Sequence, residues 1–206
     1  MELLSRFGAA VCHRMAERSL YFDGMQMPLC ARCTGIYLGA FFAFFFLFWK
    51  GRKEGNRPFS LPQALLTAAA ILPVAADGLG SYLGFWQSSA FLRLLTGSLV
   101  GVILPGMLLL AVNFDPAGDN TAPVYENSRE LLMLMLVSAG IGLSLWAGLP
   151  FHGIAALLSV AGEILLWGGV FWLVLKLAGK KRKLPYWRIS IGCAAVLLFL
   201  IGGLVV

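Results

Sequence analysis

Long apolar runs alternate with short polar or basic segments along the chain. We place six such runs at residues 34–49, 61–85, 90–112, 130–149, 153–177 and 189–206. A helix rises about 1.5 Å per residue, so about 20 apolar residues cross the hydrocarbon core of a bilayer. The pattern therefore predicts an all-α fold, a polytopic membrane helix bundle of about six transmembrane helices. Residues 1–33 form a short amino-terminal Cys/His/Arg cap segment, and residues 34–206 form the bundle.

Glycine and proline add detail to these runs. Glycines four residues apart recur at positions 35 and 39, 80 and 84, and 97 and 101. Small residues let helices approach closely in lipid, so we expect these pairs to lie at helix–helix contacts. The second run also contains Pro73, Gly78 and Gly80, which predict a kinked or broken helix of the kind that often lines a site.

Composition agrees with a membrane location. The chain is 59% hydrophobic and 13% charged, whereas soluble domains carry about 25% charged residues. So little charge does not cover a water-facing globule of 206 residues. Residues 1–11 lack the sustained apolar stretch of a cleavable signal peptide. The lipid bilayer is therefore the first expected partner.

Basic residues crowd at the ends of the apolar runs, where they set the orientation of membrane proteins. Eleven of the 16 Lys and Arg residues follow the first, third and fifth runs, including Lys180-Lys181-Arg182-Lys183. The other side carries Arg6, Arg14, Arg18, Arg32 and Arg93. Because the more basic side faces the cytoplasm, we expect a multi-pass protein of the inner (plasma) membrane, with its amino-terminal motif on the outer face. The net charge of +6 thus indicates topology and contact with anionic lipid, and no nucleic-acid partner is expected.

The densest chemistry lies in residues 12–37, which contain three of the four cysteines and one of the two histidines. Cys30 and Cys33 have the two-residue spacing that brings two sulfurs to one metal ion or into one disulfide. Thiolates and imidazole together suit tetrahedral zinc, so the predicted metal ligands are Cys12, His13, Cys30 and Cys33. Adjacent residues on a helix point about 100° apart. Cys12 and His13 therefore share one ion only where the backbone is irregular.

Two other interpretations of these cysteines remain open. Cys33 falls near the amino end of the first run, where unpaired N–H groups and the helix dipole stabilise a thiolate. An outward location is oxidising and permits a disulfide, in which case the third thiol serves an exchange relay. Alternatively, the thiols are structural, either as a disulfide staple or as packed side chains.

Arginines add an anion-binding theme to the same segment. Arg14 and Arg18 are four residues apart, so a short helix would point both in one direction, and Arg32 lies inside the cysteine pair. Glu17 lies four residues from His13, and a carboxylate can orient an imidazole. Arginines that converge bind phosphate or carboxylate in bidentate fashion, so the candidate substrate-binding residues are Arg14, Arg18, Arg32 and Arg93. The alternative is that they rest on lipid headgroups.

Asp77 lies within the second apolar run, where ionisable groups are costly and are functional candidates by default. Sixteen residues from Leu61, at about 1.5 Å each, put Asp77 about 24 Å from the inner surface, in the outer third of the bilayer. Arg93 starts the third run at the same outer end, so we expect an Asp77–Arg93 ion pair beside the cysteine segment. The candidate catalytic residues are Asp77, Arg93 and Glu17. A purely structural salt bridge between spans is the alternative.

Three further residues carry weaker signals. Glu163 lies near the middle of the fifth run, where a carboxylate either carries protons or stays neutral and hydrogen-bonded. His152 begins the same run after Pro150, and we expect it at the surface. Cys193 is alone in an apolar run, so a packed thiol is expected.

The motifs resemble a known family. Its pattern is carried by Cys12-His13-Arg14, Glu17-Arg18-Ser19, Gly24, Gln26-Met27-Pro28 and Cys30-Ala31-Arg32-Cys33-Thr34-Gly35-Ile36-Tyr37, followed by Asp77-Gly78 and Arg93-Leu94-Leu95-Thr96-Gly97. This pattern resembles a family of predicted bacterial and archaeal membrane proteins catalogued only as a domain of unknown function. The family usually has a Ser-Asn pair before the Arg, where this chain has Ser88-Ser89-Ala90. The resemblance covers about residues 12–105 and implies a shared site without naming an activity.

These observations leave three functions open. The first is a membrane protein with an outward Cys/His zinc centre beside an Arg/Asp anion site, which acts as an enzyme on, or as a carrier of, a lipid-linked phosphate or another small anionic ligand. The second is a thiol–disulfide oxidoreductase that passes electrons from thiols to a quinone cofactor. The third is a non-catalytic assembly or binding protein with a metal-stabilised cap. Whether the protein is an enzyme is not decided by the sequence.

Overall fold

A computed structural model of the chain describes residues 2–178 and 186–205. Six long apolar helices make up most of it: α2 (Ala31–Trp49), α3 (Leu61–Tyr82), α4 (Ala90–Asn113), α5 (Ser128–Trp146), α6 (His152–Leu177) and α7 (Tyr186–Val205). All six have the length and hydropathy of membrane spans. The predicted six-span helical bundle is therefore confirmed. The basic run Lys180-Lys181-Arg182-Lys183, which contributed to the predicted orientation, lies outside the described residues.

Polar caps explain where several helices begin. Ser60 and Gln63 form a capping box at the start of α3, with the Ser60 N–H donating to Gln63 Oε1 at 2.9 Å. Such side chains satisfy N–H groups that the first helical turn leaves unpaired. Asn127 caps α5 in the same way, through the Glu130 N–H at 2.9 Å. Of the predicted kink or break in the second span, the break is wrong, since α3 continues through Pro73, and the kink stays a prediction.

The amino-terminal segment folds into a small cap rather than a single extended strand or helix. It contains α1 (Glu2–Val11), a short 3₁₀ turn (Ala16–Arg18), and a hairpin of antiparallel strands β1 (Ser19–Phe22) and β2 (Met25–Cys30). Asp23 and Gly24 form the turn with φ of +50° and +75°, the conformation that two-residue hairpin turns require. The cap merges directly into α2, which begins at Ala31 and so takes the last three residues assigned to the cap from sequence.

Successive helices run up and down, so the bundle has two ends. At one end, which we call the amino-terminal face, the cap meets the starts of α2, α4 and α6 and the ends of α3, α5 and α7. Phe22 of the hairpin stacks on His152 at 5.0 Å, and Phe91 packs on Trp146 at 5.1 Å. At the opposite face, Arg52 pairs with Glu126 at 2.9 Å. The cap and Asp77 therefore lie at the same end of the bundle.

Helices α2 and α4 form the centre of the bundle and approach each other through glycine. A Cβ added at Gly35 or Gly39 would collide with the backbone of α4, and one at Gly97 or Gly101 would collide with that of α2. The expected packing role of these two pairs is confirmed. Gly84 instead lies in the turn after α3, with φ of +78°. The close approach brings the first turns of α2 and α4 side by side, which sets the geometry of the site.

Candidate functional site

Three cysteines meet where the cap joins the bundle. Cys12 directly follows α1 and donates its N–H to the Gly8 carbonyl at 2.9 Å. Cys30 ends β2 and precedes α2, while Cys33 lies in the first turn of α2. Their three sulfur atoms lie within 4.8 Å of one another, and all three are free thiols. We call this group the three-thiol site.

The three-thiol site is only partly open to solvent. Cys12 is buried with Leu29 and Tyr37, whereas Cys30 and Cys33 are half-buried. The Cys30 N–H points at Cys12 Sγ at 3.4 Å. The fourth cysteine, Cys193, is exposed on α7 rather than packed inside the bundle as expected. It therefore provides a matched thiol outside the site.

Hydrogen bonds shift the pKa values of the thiols in opposite directions. Cys30 accepts hydrogen bonds from the Cys12 and Cys33 thiols and from backbone N–H groups at the start of α2. These bonds hold the pKa of Cys30 well below its ordinary value, although burial alone would raise it. The reverse holds for Cys12, whose hydrogen bond to Cys30 and whose burial raise its pKa. Cys30 is thus the thiol outside the spans that ionises most readily. A thiolate is the form that binds metal or attacks a disulfide.

The structure does not bring His13 into this group. Residues 12–15 form an irregular loop in which Cys12 is buried and His13 is exposed, and His13 lies outside the set of ligand atoms that share the 4.8 Å limit. The backbone of this loop is irregular, with Arg14 at a φ of +46°. Glu17 is also exposed, on the 3₁₀ turn. A contact between His13 and Glu17 does not form among the described residues.

Arg14 and Arg18 do not share a helix face, because the short helix expected from their spacing is only a three-residue 3₁₀ turn that excludes Arg14. Arg14 faces α1, where its guanidinium donates to Ser5 Oγ at 3.1 Å. Its carbonyl accepts a hydrogen bond from Gln26 at 2.8 Å. Arg18 ends the turn on the other side of the loop. Arg14 is therefore held by contacts with α1 and β2, and the predicted shared helix face with Arg18 does not form.

Asp77 pairs with Arg32, not with Arg93. The Asp77 side chain is only 3% exposed, forms an ion pair with the Arg32 guanidinium, and accepts a hydrogen bond from Ser88 Oγ at 2.7 Å. The predicted Asp77–Arg93 ion pair is therefore wrong, although both residues do lie at the amino-terminal face as expected. Because Arg32 stands between Cys30 and Cys33, this ion pair ties the three-thiol site directly to a buried carboxylate.

Arg93 is buried beside this pair with neutral partners. It is 5% exposed, and its guanidinium donates to the Ser88 carbonyl at 3.3 Å and to Ser81 Oγ at 3.1 Å. Arg18 and Arg32 both lie close enough to act on Arg93 by charge repulsion. We call Arg18, Arg32 and Arg93 the arginine cluster. Sequence reasoning missed the serines, although Ser88 stands in the segment where the resembled family has its Ser-Asn pair.

Glu163 lies inside the bundle and is not one of the clustered ligand atoms of the three-thiol site. It is 0% exposed, and neither carboxylate oxygen has a hydrogen-bond partner among the described residues. The neighbouring Gly162 packs directly on the backbone of α2 at Tyr37. A buried carboxyl group without partners loses its hydration and regains nothing in the protein. Glu163 is therefore a source of instability in this arrangement.

We expect Glu163→Leu to stabilise the protein by about 1–3 kcal/mol, because it removes an unsatisfied buried carboxyl group of similar volume. Thermal unfolding of the purified protein in detergent checks this. Glu163→Gln is the matched variant and should change little, since it leaves a buried polar group in place. A clear loss of stability in the Leu variant would show that Glu163 has a partner outside the described residues.

Comparison with known proteins gives a family but no activity. The family model described as "Predicted membrane protein (DUF2085)" matches residues 12–107. An uncharacterized protein of Methanothermobacter thermautotrophicus is 37% identical over 92 residues, covering 45% of this chain and 78% of that protein. An uncharacterized protein of Methanocaldococcus jannaschii is 32% identical over 91 residues, covering 44% of this chain and 56% of that protein. No solved structure matches the chain.

Proposed function

The chain belongs to the DUF2085 family of predicted membrane proteins, and from the three-thiol site we propose that it binds a thiophilic metal ion, with zinc as the expected ion. The observation that carries the proposal is the grouping of three sulfurs within 4.8 Å. In a tetrahedral zinc site with Zn–S bonds of about 2.3 Å, sulfurs lie about 3.8 Å apart. Sulfurs that all lie within 4.8 Å of one another are compatible with this spacing.

Three protein ligands leave one position of a tetrahedral zinc ion open. Catalytic zinc sites keep such a position for water or substrate, whereas structural sites are closed by a fourth protein ligand. His13 remains the predicted fourth ligand, and it reaches the sulfurs only if the loop at Arg14 rearranges, since it is exposed as the chain stands. The present geometry favours an open site that accepts an external ligand.

The arginine cluster favours an anionic ligand at the open fourth position of the zinc ion. Arg32 belongs to both groups, because it lies between two of the cysteines and pairs with Asp77. We propose that Arg18, Arg32 and Arg93 bind a lipid-linked or small anionic molecule, and that Asp77 positions Arg32. Arg14 and Glu17 lie away from this cluster and contribute less to the proposal. The arrangement suits a zinc-dependent enzyme or a carrier at the outer membrane face.

The lowered pKa of Cys30 favours a second candidate, a thiol–disulfide oxidoreductase. Two of the thiols would form a disulfide and give up two electrons and two protons, which reduce one quinone to a quinol. The remaining thiol would exchange with that disulfide. An apolar cavity of about 340 Å³ between α2, α5 and α6, lined by Leu38, Phe42 and Ile141 among others, offers space for a quinone ring.

Metal analysis of the full-length protein tests the first proposal. We expect about one zinc ion per chain in the wild type and in Cys193→Ser, whose thiol lies outside the site. Each of Cys12→Ser, Cys30→Ser and Cys33→Ser should lose most of the zinc, because the soft thiolate ligands are what select this ion. His13→Ala decides whether the imidazole contributes.

Intact mass after alkylation separates the alternatives on the same samples. Three alkylated site thiols after zinc removal agree with the metal centre. A disulfide within the site together with bound quinone supports the oxidoreductase, and a wild type without zinc contradicts the metal proposal. If zinc is present but the cysteine variants lose only thermal stability and no ligand binding, the metal merely stabilises the cap of an assembly protein.

A further inference from the structure

Positive charge exceeds negative charge around Asp77. Arg18 and Arg32 both lie within electrostatic reach of Arg93, and Asp77 is the carboxylate paired with Arg32. The hydrogen-bond acceptors of Arg93 are a carbonyl and a hydroxyl, which are neutral. Among the described residues, neither Arg18 nor Arg93 has an ion-pair partner. Two of the three guanidinium groups therefore lack an ion-pair partner, although Asp77 and Cys30 also attract Arg93 at longer range.

The surrounding helices add to this positive potential. Helices α2 and α4 both begin at the amino-terminal face, with Arg32 and Arg93 in their first turns. The amino end of a helix carries about half a positive charge from its unpaired N–H groups. Paired helix starts of this kind favour phosphate and other oxyanions. Burying further positive charge here is costly unless an anion is present to balance it.

Two buried polar atoms in the Arg32–Asp77 pair also lack partners. Arg32 Nε and Asp77 Oδ1 are both inaccessible to solvent and have no hydrogen bond within the described residues. Arg32 Nε is a donor, which an anionic oxygen can satisfy directly, whereas Asp77 Oδ1 is an acceptor and needs a separate donor such as water. Unsatisfied buried atoms are rare in folded proteins and indicate an absent ligand or water.

We propose that the arginine cluster binds a terminal phosphate group in its dianionic form, an inference that rests on the anion-binding part of the proposed function. Such a group, in a monoester or as free phosphate, carries close to two negative charges at neutral pH, which matches the two guanidinium groups that lack an ion-pair partner. A phosphodiester carries one, and leaves one arginine unbalanced. The position of the cluster at a membrane face allows two sources of this chemistry, the headgroup of a lipid phosphate monoester or free phosphate.

Lipid and soluble probes distinguish these sources. Full-length protein in phosphatidylcholine nanodiscs is titrated with inorganic phosphate by calorimetry. Parallel samples containing equal mole fractions of phosphatidic acid, a monoester, or phosphatidylglycerol, a diester, are compared by native mass spectrometry. We expect the wild type to retain the monoester lipid, or to bind free phosphate, in clear preference to the diester lipid.

Variants assign the binding to the cluster. Arg18→Met should weaken monoester binding about tenfold, the usual effect of losing one charge-assisted hydrogen bond. Arg18 is half-buried and has no side-chain hydrogen bond in the structure, so the variant should fold. Arg93→Met should weaken binding further, with Arg93→Lys as the charge-retaining variant if the first unfolds. Arg188→Met, on an exposed residue of α7, is the matched control and should bind normally.

The outcomes separate this inference from the metal proposal. Retention of phosphatidic acid alone assigns a lipid ligand, and binding of free phosphate assigns a soluble one; both support a terminal, dianionic phosphate group. Equal retention of phosphatidylglycerol, absence of binding to every probe, or normal binding by Arg18→Met would overturn the inference. Zinc content is measured on the same samples. A wild type that binds phosphate without zinc would refute the metal centre and leave the phosphate site standing.

Discussion

Arg32→Met should destabilise the protein by about 3–5 kcal/mol, the usual effect of removing one partner of a buried ion pair. The variant keeps an unbranched apolar side chain of similar reach but leaves Asp77, which is 3% exposed, without its counter-charge. The hydroxyl of Ser88 would be its remaining hydrogen-bond donor. Unfolding of the purified protein in detergent, induced by denaturant or heat, measures the loss in free energy of unfolding.

Two controls make this result specific. Asp77→Asn combined with Arg32→Met should recover most of the lost stability, because neither side chain then leaves a buried charge unbalanced. Glu126→Gln breaks the Arg52–Glu126 pair, in which Glu126 is 67% exposed, and should cost no more than about 1 kcal/mol. If Arg32→Met is as stable as the wild type, the ion pair does not hold α3 to the start of α2.

Gly97→Ala should have the second large effect, because Gly97 packs directly against the backbone of Arg32. An added Cβ would lie far inside contact distance of the Arg32 carbonyl oxygen and 3.3 Å from the Ile36 nitrogen. Neither backbone atom can move away without separating α2 from α4. Overpacking of this kind typically costs about 1–3 kcal/mol. We also expect lower zinc content, since Arg32 lies between two of the site cysteines.

Gly140→Ala is the matched substitution for Gly97→Ala. Gly140 lies within α5 and has no atom within 4 Å of an added Cβ. An alanine there should leave the fold unchanged or stabilise it by up to about 1 kcal/mol through its better helix propensity. Equal effects of the two alanines on unfolding and zinc content would contradict a close α2–α4 contact at Gly97.

The six spans could be predicted because hydrophobicity over about 20 residues is a strong signal that depends little on neighbouring elements. Their boundaries were less predictable where the chemistry of the site intervenes. Helix α2 starts at Ala31, three residues before the apolar run. Arg32 and Cys33 are helical although they are polar or weakly apolar, so hydropathy alone misses this first turn. The hairpin before it was not predicted, although Asp23-Gly24 is a strong turn signal.

Sequence reasoning brought Asp77, Arg93 and the cysteine segment to one end of the bundle, but it chose the wrong partner for Asp77. Counting residues along an apolar run gives depth in the membrane. The rotation of α3 about its own axis decides whether Asp77 faces Arg32 or Arg93, and that rotation depends on side-chain packing. Hydropathy contains no such information when a helix is apolar on nearly every side.

The three-thiol site, too, was only partly predictable from the sequence. The spacing of Cys30 and Cys33 predicts that their sulfurs approach each other, since both lie at the start of one helix. Cys12 is 18 residues from Cys30, and only the folded hairpin brings them together. Which of Cys12 and His13 turns inward depends on the dihedral angles of the loop at Arg14. Composition and spacing do not contain these angles.

The packing of α1 against α7 has a consequence for the order in which the chain folds. Phe7 packs on Phe199 at 5.5 Å, and Gly202 lies against the backbone of Arg6. Gly8 also lies against the backbone of β2 at Pro28, so α1 has one docking surface within the cap and a second on α7. Helix α7 is synthesised after the other described helices, so the packing of α1 is completed only when α7 is in place. Because Cys12 directly follows α1, the last span made helps to fix the position of a thiol near the start of the chain.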